Sequence, residues 1–149
     1  MRRLCLTAAA CLMALPAIAQ TQLERMEVVS EEANRLTNAH MISELPALEG
    51  HMPDPNWDDD MRDAYACVLD GYRADAGDAA IDAMLDRIEA TMAELGPEGL
   101  MESGLDERIP LPEGVTGERS VALLNTCGVM AIYMARLQAS GALTILAEQ

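Results

Sequence analysis

Apolar residues recur at steps of three and four from Thr21 onward, and this spacing predicts an amphipathic helix. Thr21 and Glu24 form a T-x-x-E capping box, in which each side chain satisfies a free backbone donor at the start of a helix. The helix is expected to end before Pro46, because the residue preceding a proline avoids the helical region. Its apolar face holds Leu23, Met26, Val29, Ala33 and Leu36, with Ile42 close to the same face.

A second helix is predicted to begin between Asn56 and Asp58, after a turn rich in glycine and proline. The aspartates Asp58–Asp60 fall in its first turn, where the positive end of the helix dipole favours carboxylates. Asp58 also precedes Arg62 by four residues, a spacing that suits an ion pair. The apolar side of this helix carries Met61, Ala64, Tyr65, Val68, Leu69 and Tyr72.

The third predicted helix starts after Gly77 and ends at Gly96-Pro97, since glycine and proline both terminate helices. The segment that follows, Pro97 to Gly117, is rich in the same two residues and predicts one helical turn at most, then an ordered loop. A connection of this length is a place where function can reside. The apolar positions of the third helix are Ile81, Met84, Leu85, Ile88, Met92 and Leu95.

The last long helix is capped by Thr116, and its run from Val121 to Leu137 is apolar nearly all the way round. Such a helix is normally the central one of its domain, packed by the others. Gly141 is expected to end it, and the final residues form either a short continuation or a tail folded back. Because the chain has no phenylalanine, methionine is expected to fill the core at Met84, Met92, Met130 and Met134.

These patterns are helical throughout, so the predicted class is all-α: a small four-helix bundle-like domain around Val121 to Leu137.

The first residues form a separate segment, with two arginines, an apolar run and the Ala17-Ile18-Ala19 site. This is the pattern of a secretory signal peptide spanning residues 1–19. The apolar run is shorter than the roughly 20 residues of a membrane-spanning helix. We therefore expect one mature domain, residues 20–149, in the periplasm, with no transmembrane segment after cleavage.

Two cysteines, Cys67 and Cys127, remain after residue 19. In an oxidising compartment two cysteines most simply form one disulfide, here between the second and the fourth helix. The alternative is a pair of buried thiols. Both positions lie in apolar helical stretches that are expected to meet in one core. Closing a loop of this length stabilises a fold by about 4 kcal/mol in the chain-entropy model.

The charge of the chain excludes several kinds of partner. The formal net charge is −15, and there is no lysine. All 25 acidic residues but only eight of the ten basic ones follow residue 19, which gives the mature chain a charge of −17. Phosphate backbones and anionic membrane surfaces require the opposite sign, so nucleic acid is not an expected partner. A protein partner with a basic surface, or divalent cations, would suit this charge.

The stretch between the first two helices contains both histidines, each followed by a methionine. Imidazole and thioether groups are copper ligands, which makes this stretch a candidate metal site. The alternative is that the methionines are ordinary apolar residues beside exposed histidines. A calcium loop starting at Asp54 fails, because its sixth residue is Asp59 rather than glycine and its twelfth is Tyr65 rather than glutamate. The candidate copper ligands are His40, Met41, His51, Met52 and Met61.

Signatures of the common enzyme classes are absent from the sequence. It contains no G-x-S-x-G, no H-E-x-x-H, no C-x-x-C-H and no glycine-rich phosphate loop. We therefore expect a non-catalytic binding module that uses the Pro97–Gly117 loop or the acidic face of the third helix. The first alternative is a periplasmic protein that binds copper or another metal. The second is an enzyme with an unrecognised carboxylate site.

Overall fold

A computed structural model describes residues 21–102 and 110–148, with the backbone alone described over 95–102. The regular structure of this part of the chain is helical throughout, which confirms the all-α prediction. The predicted signal segment, residues 1–19, lies outside it. The elements are α1 (Gln22–Glu44), a 3-10 turn (Pro46–Leu48), α2 (Asp59–Ala76), α3 (Asp78–Glu102), α4 (Gly117–Thr126), α5 (Val129–Ser140) and α6 (Ala142–Ala147).

The helix starts follow the capping chemistry predicted from the sequence. Thr21 Oγ1 accepts a hydrogen bond from the Glu24 backbone N–H at 3.2 Å, and Glu24 Oε2 accepts one from the Thr21 N–H at 2.7 Å. Asp58, expected in the first turn of the second helix, is instead the cap of α2 and accepts from the Met61 N–H at 2.9 Å. This bond, together with the nearby Arg136, lowers the pKa of Asp58. The predicted Asp58–Arg62 pair is wrong: Asp58 pairs with Arg136 at 2.7 Å, and Arg62 reaches Glu27 on α1.

The core lies between α1, α2 and α3, which contact one another pairwise. The other side of α2 packs against α4 and α5, so α2 is the central helix of the described structure. Gly71 lets α4 approach α2 closely, because a Cβ at this position would overlap the Leu123 side chain. The hydroxyls of Tyr72 and Ser120 share a buried hydrogen bond of 2.6 Å between the same two helices. The most deeply buried core residues are Met61, Val68, Leu69, Ile81, Met84 and Leu85.

The predicted long helix from Val121 to Leu137 is not continuous. It breaks at Cys127-Gly128, where Gly128 has a φ of 86°, and α4 and α5 are bent by 63°. A left-handed backbone of this kind interrupts the helical hydrogen bonds and is readily adopted by glycine, which has no Cβ. The pair therefore packs against one side of α2 instead of forming the centre. Met130 and Met134, predicted to be core residues, are 44% and 46% exposed.

The ends of α3 and α5 can also be compared with the sequence-based predictions. Helix α3 does not end at Gly96-Pro97 but continues to Glu102, since a helix can pass a proline at the loss of one backbone hydrogen bond. Gly141 ends α5 in a left-handed conformation, and the last residues form α6, which packs against α5 and the 3-10 turn. Among the described helices none is long and apolar enough on its own to cross a membrane, and α4 with α5 passes that test as a bent pair.

The predicted disulfide between Cys67 and Cys127 is confirmed, with 5.7 Å between the two Cα atoms. Its location differs from the expectation that the two residues meet inside the core. Cys67 lies on the exposed side of α2, and Cys127 is half-buried at the corner between α4 and α5. The bond therefore fastens this corner to the surface of the central helix.

A cluster of ion pairs joins α1 to α3. Arg25, 17% exposed, donates to Asp86 at 2.6 Å and to the two oxygens of Glu89 at 2.8 and 2.9 Å, and its guanidinium lies 3.9 Å from Asp82. The hydrogen bond to Glu89 is the main cause of a raised pKa at Arg25. One cation thus contacts three carboxylates of the acidic face of α3, so these four groups together stay negatively charged.

Candidate interaction surface

The predicted copper ligands occupy different environments in the structure. His40 is exposed near the end of α1, and Met41 and Met52 are half-buried. The His51 Nδ1 atom donates a hydrogen bond to the Ser140 carbonyl at 3.2 Å, which connects this loop to the end of α5. Met61 is 2% exposed and lies in the core. Within the described residues, no group of three or more histidine, cysteine, aspartate or glutamate side chains is placed to hold a metal ion.

Copper binding by this set stays a prediction, and it has a direct test. It predicts that replacing His40 and His51 by alanine abolishes Cu(I) binding by the mature protein, because imidazole supplies its nitrogen ligands. Elemental mass spectrometry measures the metal, and Tm measures the fold. Undiminished Cu(I) binding by the double variant contradicts the proposal. A lowered Tm would show that the contact between His51 and Ser140 serves the fold.

The two surfaces expected to bind a partner, the acidic face of α3 and the Pro97–Gly117 loop, stay predictions. The acidic face of α3 is engaged by Arg25. In the predicted loop, residues 103–109 lie outside the described part of the chain. Within residues 110–117, Pro112 and Val115 are buried and the Leu111 carbonyl accepts a hydrogen bond from Arg87 at 3.1 Å, whereas Glu113, Gly114 and Thr116 are exposed.

A cleft of about 380 Å³ lies between α1 and α3. Its charged lining residues are already paired, since Glu32 pairs with Arg35 and Glu89 with Arg25. Glu31 accepts a hydrogen bond from the Trp57 backbone N–H at 2.7 Å. Each described charged side chain that lines this cleft thus already has an ion-pair or hydrogen-bond partner.

The outer side of α5 is an apolar helix face without a partner among the described residues. Its exposed side chains form two parallel rows at helical spacing. One row has the larger side chains of Met130, Met134 and Gln138, and the other consists of three alanines. Arg136, the single charged residue of α5, lies 18% exposed against Asp58 and the Asn56 carbonyl. We call this uncharged surface the methionine face: Met130, Ala131, Met134, Ala135, Gln138 and Ala139.

Acidic side chains lie beside the methionine face. Asp60, Asp63 and Asp70 are exposed on one side of α2, at spacings that align them with Cys67. We call these three residues the acidic ridge, in which Asp70 pairs with Arg73. The disulfide joins Cys67, within this ridge, to Cys127, which precedes Met130 by three residues. Helices α2 and α5 are also in direct contact. The surface therefore combines an uncharged apolar helix face with a border of carboxylates.

Sequence reasoning missed this surface because the helix around it is apolar on both sides. The inner side, with Val129 and Ile132, packs against the core, and the outer side carries Met130 and Met134. The signal that identifies the arrangement is Gly128 directly after Cys127, since a break there turns α5 away from the centre. Comparison with protein-family models, curated proteins and solved structures finds no match for this chain.

Proposed function

We propose that this chain is a non-catalytic binding module of the periplasm, whose methionine face docks an apolar helix of a protein partner with flanking basic residues. In this proposal, signal cleavage after Ala19 releases a domain in which α1, α2, α3 and the bent α4–α5 pair form a four-helix bundle-like scaffold. The observation that carries the proposal is the uncharged, exposed outer side of α5. Contiguous apolar surface of this kind is uncommon on a monomer and is typical of interaction sites.

The form of the face favours a helix as its occupant. Side chains of a helix pack as ridges into the grooves of a second helix. The alanine row provides such a groove, and the row of Met130 and Met134 provides a ridge beside it. Methionine is unbranched and has three rotatable side-chain bonds, so it adapts to the surface that it contacts. A partner helix with bulky apolar residues over the alanine row fits this pattern.

The charge around the face favours a basic partner. The chain carries a net charge of −15, and Asp60 and Asp63 of the acidic ridge are exposed carboxylates on α2, the helix that contacts α5. Lysine or arginine residues flanking the apolar positions of a partner helix would be attracted to these carboxylates. A second copy of this chain would bring the same negative charge to the interface, so electrostatic repulsion disfavours self-association.

The proposal is tested with a synthetic amphipathic helix of leucine and lysine, titrated into the mature protein by calorimetry at about 0.15 M salt. Replacing Met130 and Met134 by serine is expected to weaken binding about tenfold or more, because two thioether side chains no longer contribute buried apolar area. Val28→Ser is the matched control: Val28 is 56% exposed on α1. A leucine and glutamate peptide with the same apolar pattern is expected not to bind.

Three results would contradict this assignment. Equal affinity of the wild type and the Met130→Ser/Met134→Ser variant would show that the peptide binds elsewhere. An equal loss with Val28→Ser would show that binding is not specific to α5. Dimerisation of the free protein that the methionine substitutions abolish would assign the face to a second copy of the chain. Circular dichroism of each variant verifies that the fold is retained.

A further inference from the structure

The methionines whose side chains the structure describes fall into three groups that differ in access to solvent. Met61 and Met84 are each 2% exposed, and Met26 is 8% exposed. Met41, Met52 and Met92 are half-buried. Met130 and Met134, at 44% and 46%, are the two exposed ones among the methionines with described side chains, and they lie one helical turn apart on the same side of α5. The most accessible thioethers are therefore also the ridge of the methionine face.

We infer that Met130 and Met134 are an oxidation site that controls docking at the methionine face. This inference rests on the proposed function. The oxidant is a peroxide, with hydrogen peroxide as the simplest member of the class. The thioether sulfur attacks one peroxide oxygen, the O–O bond breaks, an S–O bond forms, and water leaves. The sulfur loses two electrons and the peroxide gains them, which converts each methionine to its sulfoxide.

The position of the pair makes its oxidation compatible with the fold. Their side chains lie outside the core, so adding an oxygen there displaces no packed residue. The product is a polar group in place of an apolar one, and such a change disrupts methionine-rich interfaces. A partner helix would then have to cover two sulfoxide oxygens, for which Gln138 is the single side-chain hydrogen-bond donor of the methionine face, and burying a polar group that lacks a partner is unfavourable. Oxidation of Met61 or Met84 would instead place the same polar group within the core.

The first part of the test requires no partner. The mature, disulfide-bonded protein is treated with dilute hydrogen peroxide, and peptide mapping by mass spectrometry follows the sulfoxide at each methionine. Met130 and Met134 are expected to oxidise about tenfold faster than Met61 and Met84, because susceptibility follows exposure. Equal rates at the exposed and the core positions, under conditions where circular dichroism shows a retained fold, would overturn the inference whatever the face binds.

The second part measures how oxidation changes docking, with the leucine and lysine peptide as the probe. Peroxide treatment is expected to weaken peptide binding by the wild type about tenfold, in parallel with the sulfoxide at Met130 and Met134. The matched variant Met130→Leu/Met134→Leu keeps an apolar face of similar volume and cannot form the sulfoxide. It is expected to bind the peptide before treatment and to retain that binding afterwards.

These measurements separate failure of the inference from failure of the proposed function. If the wild type binds before and equally well after oxidation at both residues, the inference fails while the proposed function stands. If the leucine variant loses binding on treatment as the wild type does, oxidation elsewhere is responsible and the inference fails. If the untreated wild type does not bind the peptide, the proposed function fails, and the inferred control of docking fails with it.

Discussion

Replacing Cys67 and Cys127 together by serine is expected to lower the free energy of unfolding by about 4 kcal/mol. The bond closes a loop with a sequence separation of 60 residues, so it removes many conformations of the unfolded chain. The folded state should tolerate serine, because Cys67 is exposed and Cys127 is half-buried, which leaves no large core cavity. Denaturant titration of the disulfide-bonded wild type and of the double serine variant, followed by circular dichroism, measures the difference in the free energy of unfolding.

Reductant provides the matched control for this prediction. It should destabilise the wild type by a similar amount and leave the double serine variant unchanged. A difference below about 1 kcal/mol between the wild type and the variant would contradict the loop-closure account. If the intact mass of the purified wild type does not rise by two hydrogens on reduction, the protein contains no disulfide.

Leu85→Ala is expected to lower the free energy of unfolding by about 3 kcal/mol, within the range for large-to-small changes in packed cores. Leu85 lies on α3 and is fully buried, at 0% exposure, among the residues shared by α1, α2 and α3. Truncating it removes apolar contacts and leaves a cavity that the three helices fill only in part. Thermal and denaturant unfolding both measure the effect.

Leu146→Ala is the control that separates burial from residue type. Leu146 lies on α6 and is 36% exposed, so the same truncation there is expected to cost less than about 1 kcal/mol. Similar losses for Leu85→Ala and Leu146→Ala would contradict the placement of the core between the first three helices.

The helix starts and the disulfide could be predicted from the sequence because each depends on local or countable chemistry. The Thr21 capping box and the Asp58 cap need only side chains within three residues, so short-range spacing is sufficient. The cysteine pair follows from counting the residues that remain after signal removal. Its position at the surface could not be predicted, because helical spacing does not give the rotation of one helix relative to another.

The features that could not be predicted from the sequence depend on contacts between residues that are far apart in the chain. Asp58 selects Arg136, 78 residues away in sequence, over the local Arg62, because α5 crosses the start of α2. Arg62 turns to Glu27 instead. The sequence of a helix that is apolar on both sides does not show whether its second side packs in a core or binds a partner. Burial of α5 therefore could not be assigned from its composition.

The histidine and methionine stretch shows the same limit at a smaller scale. Leu48 within it is fully buried, Met61 at its end belongs to the core, and His51 contacts the end of α5. The positions of Leu48 and His51 depend on α6 and α5, which lie far away in the sequence. Residue type alone suggested a copper site there, whereas tertiary contacts give three of its side chains structural positions.

The central claim is that a basic amphipathic helix binds at the methionine face, and methyl NMR tests it most directly. In the mature protein labelled at the methionine methyl groups, addition of the leucine and lysine peptide should shift or broaden the signals of Met130 and Met134. The signals of Met61 and Met84, buried in the core, should stay where they are. Shifts confined to other methionines, with Met130 and Met134 unchanged at saturating peptide, would contradict the account.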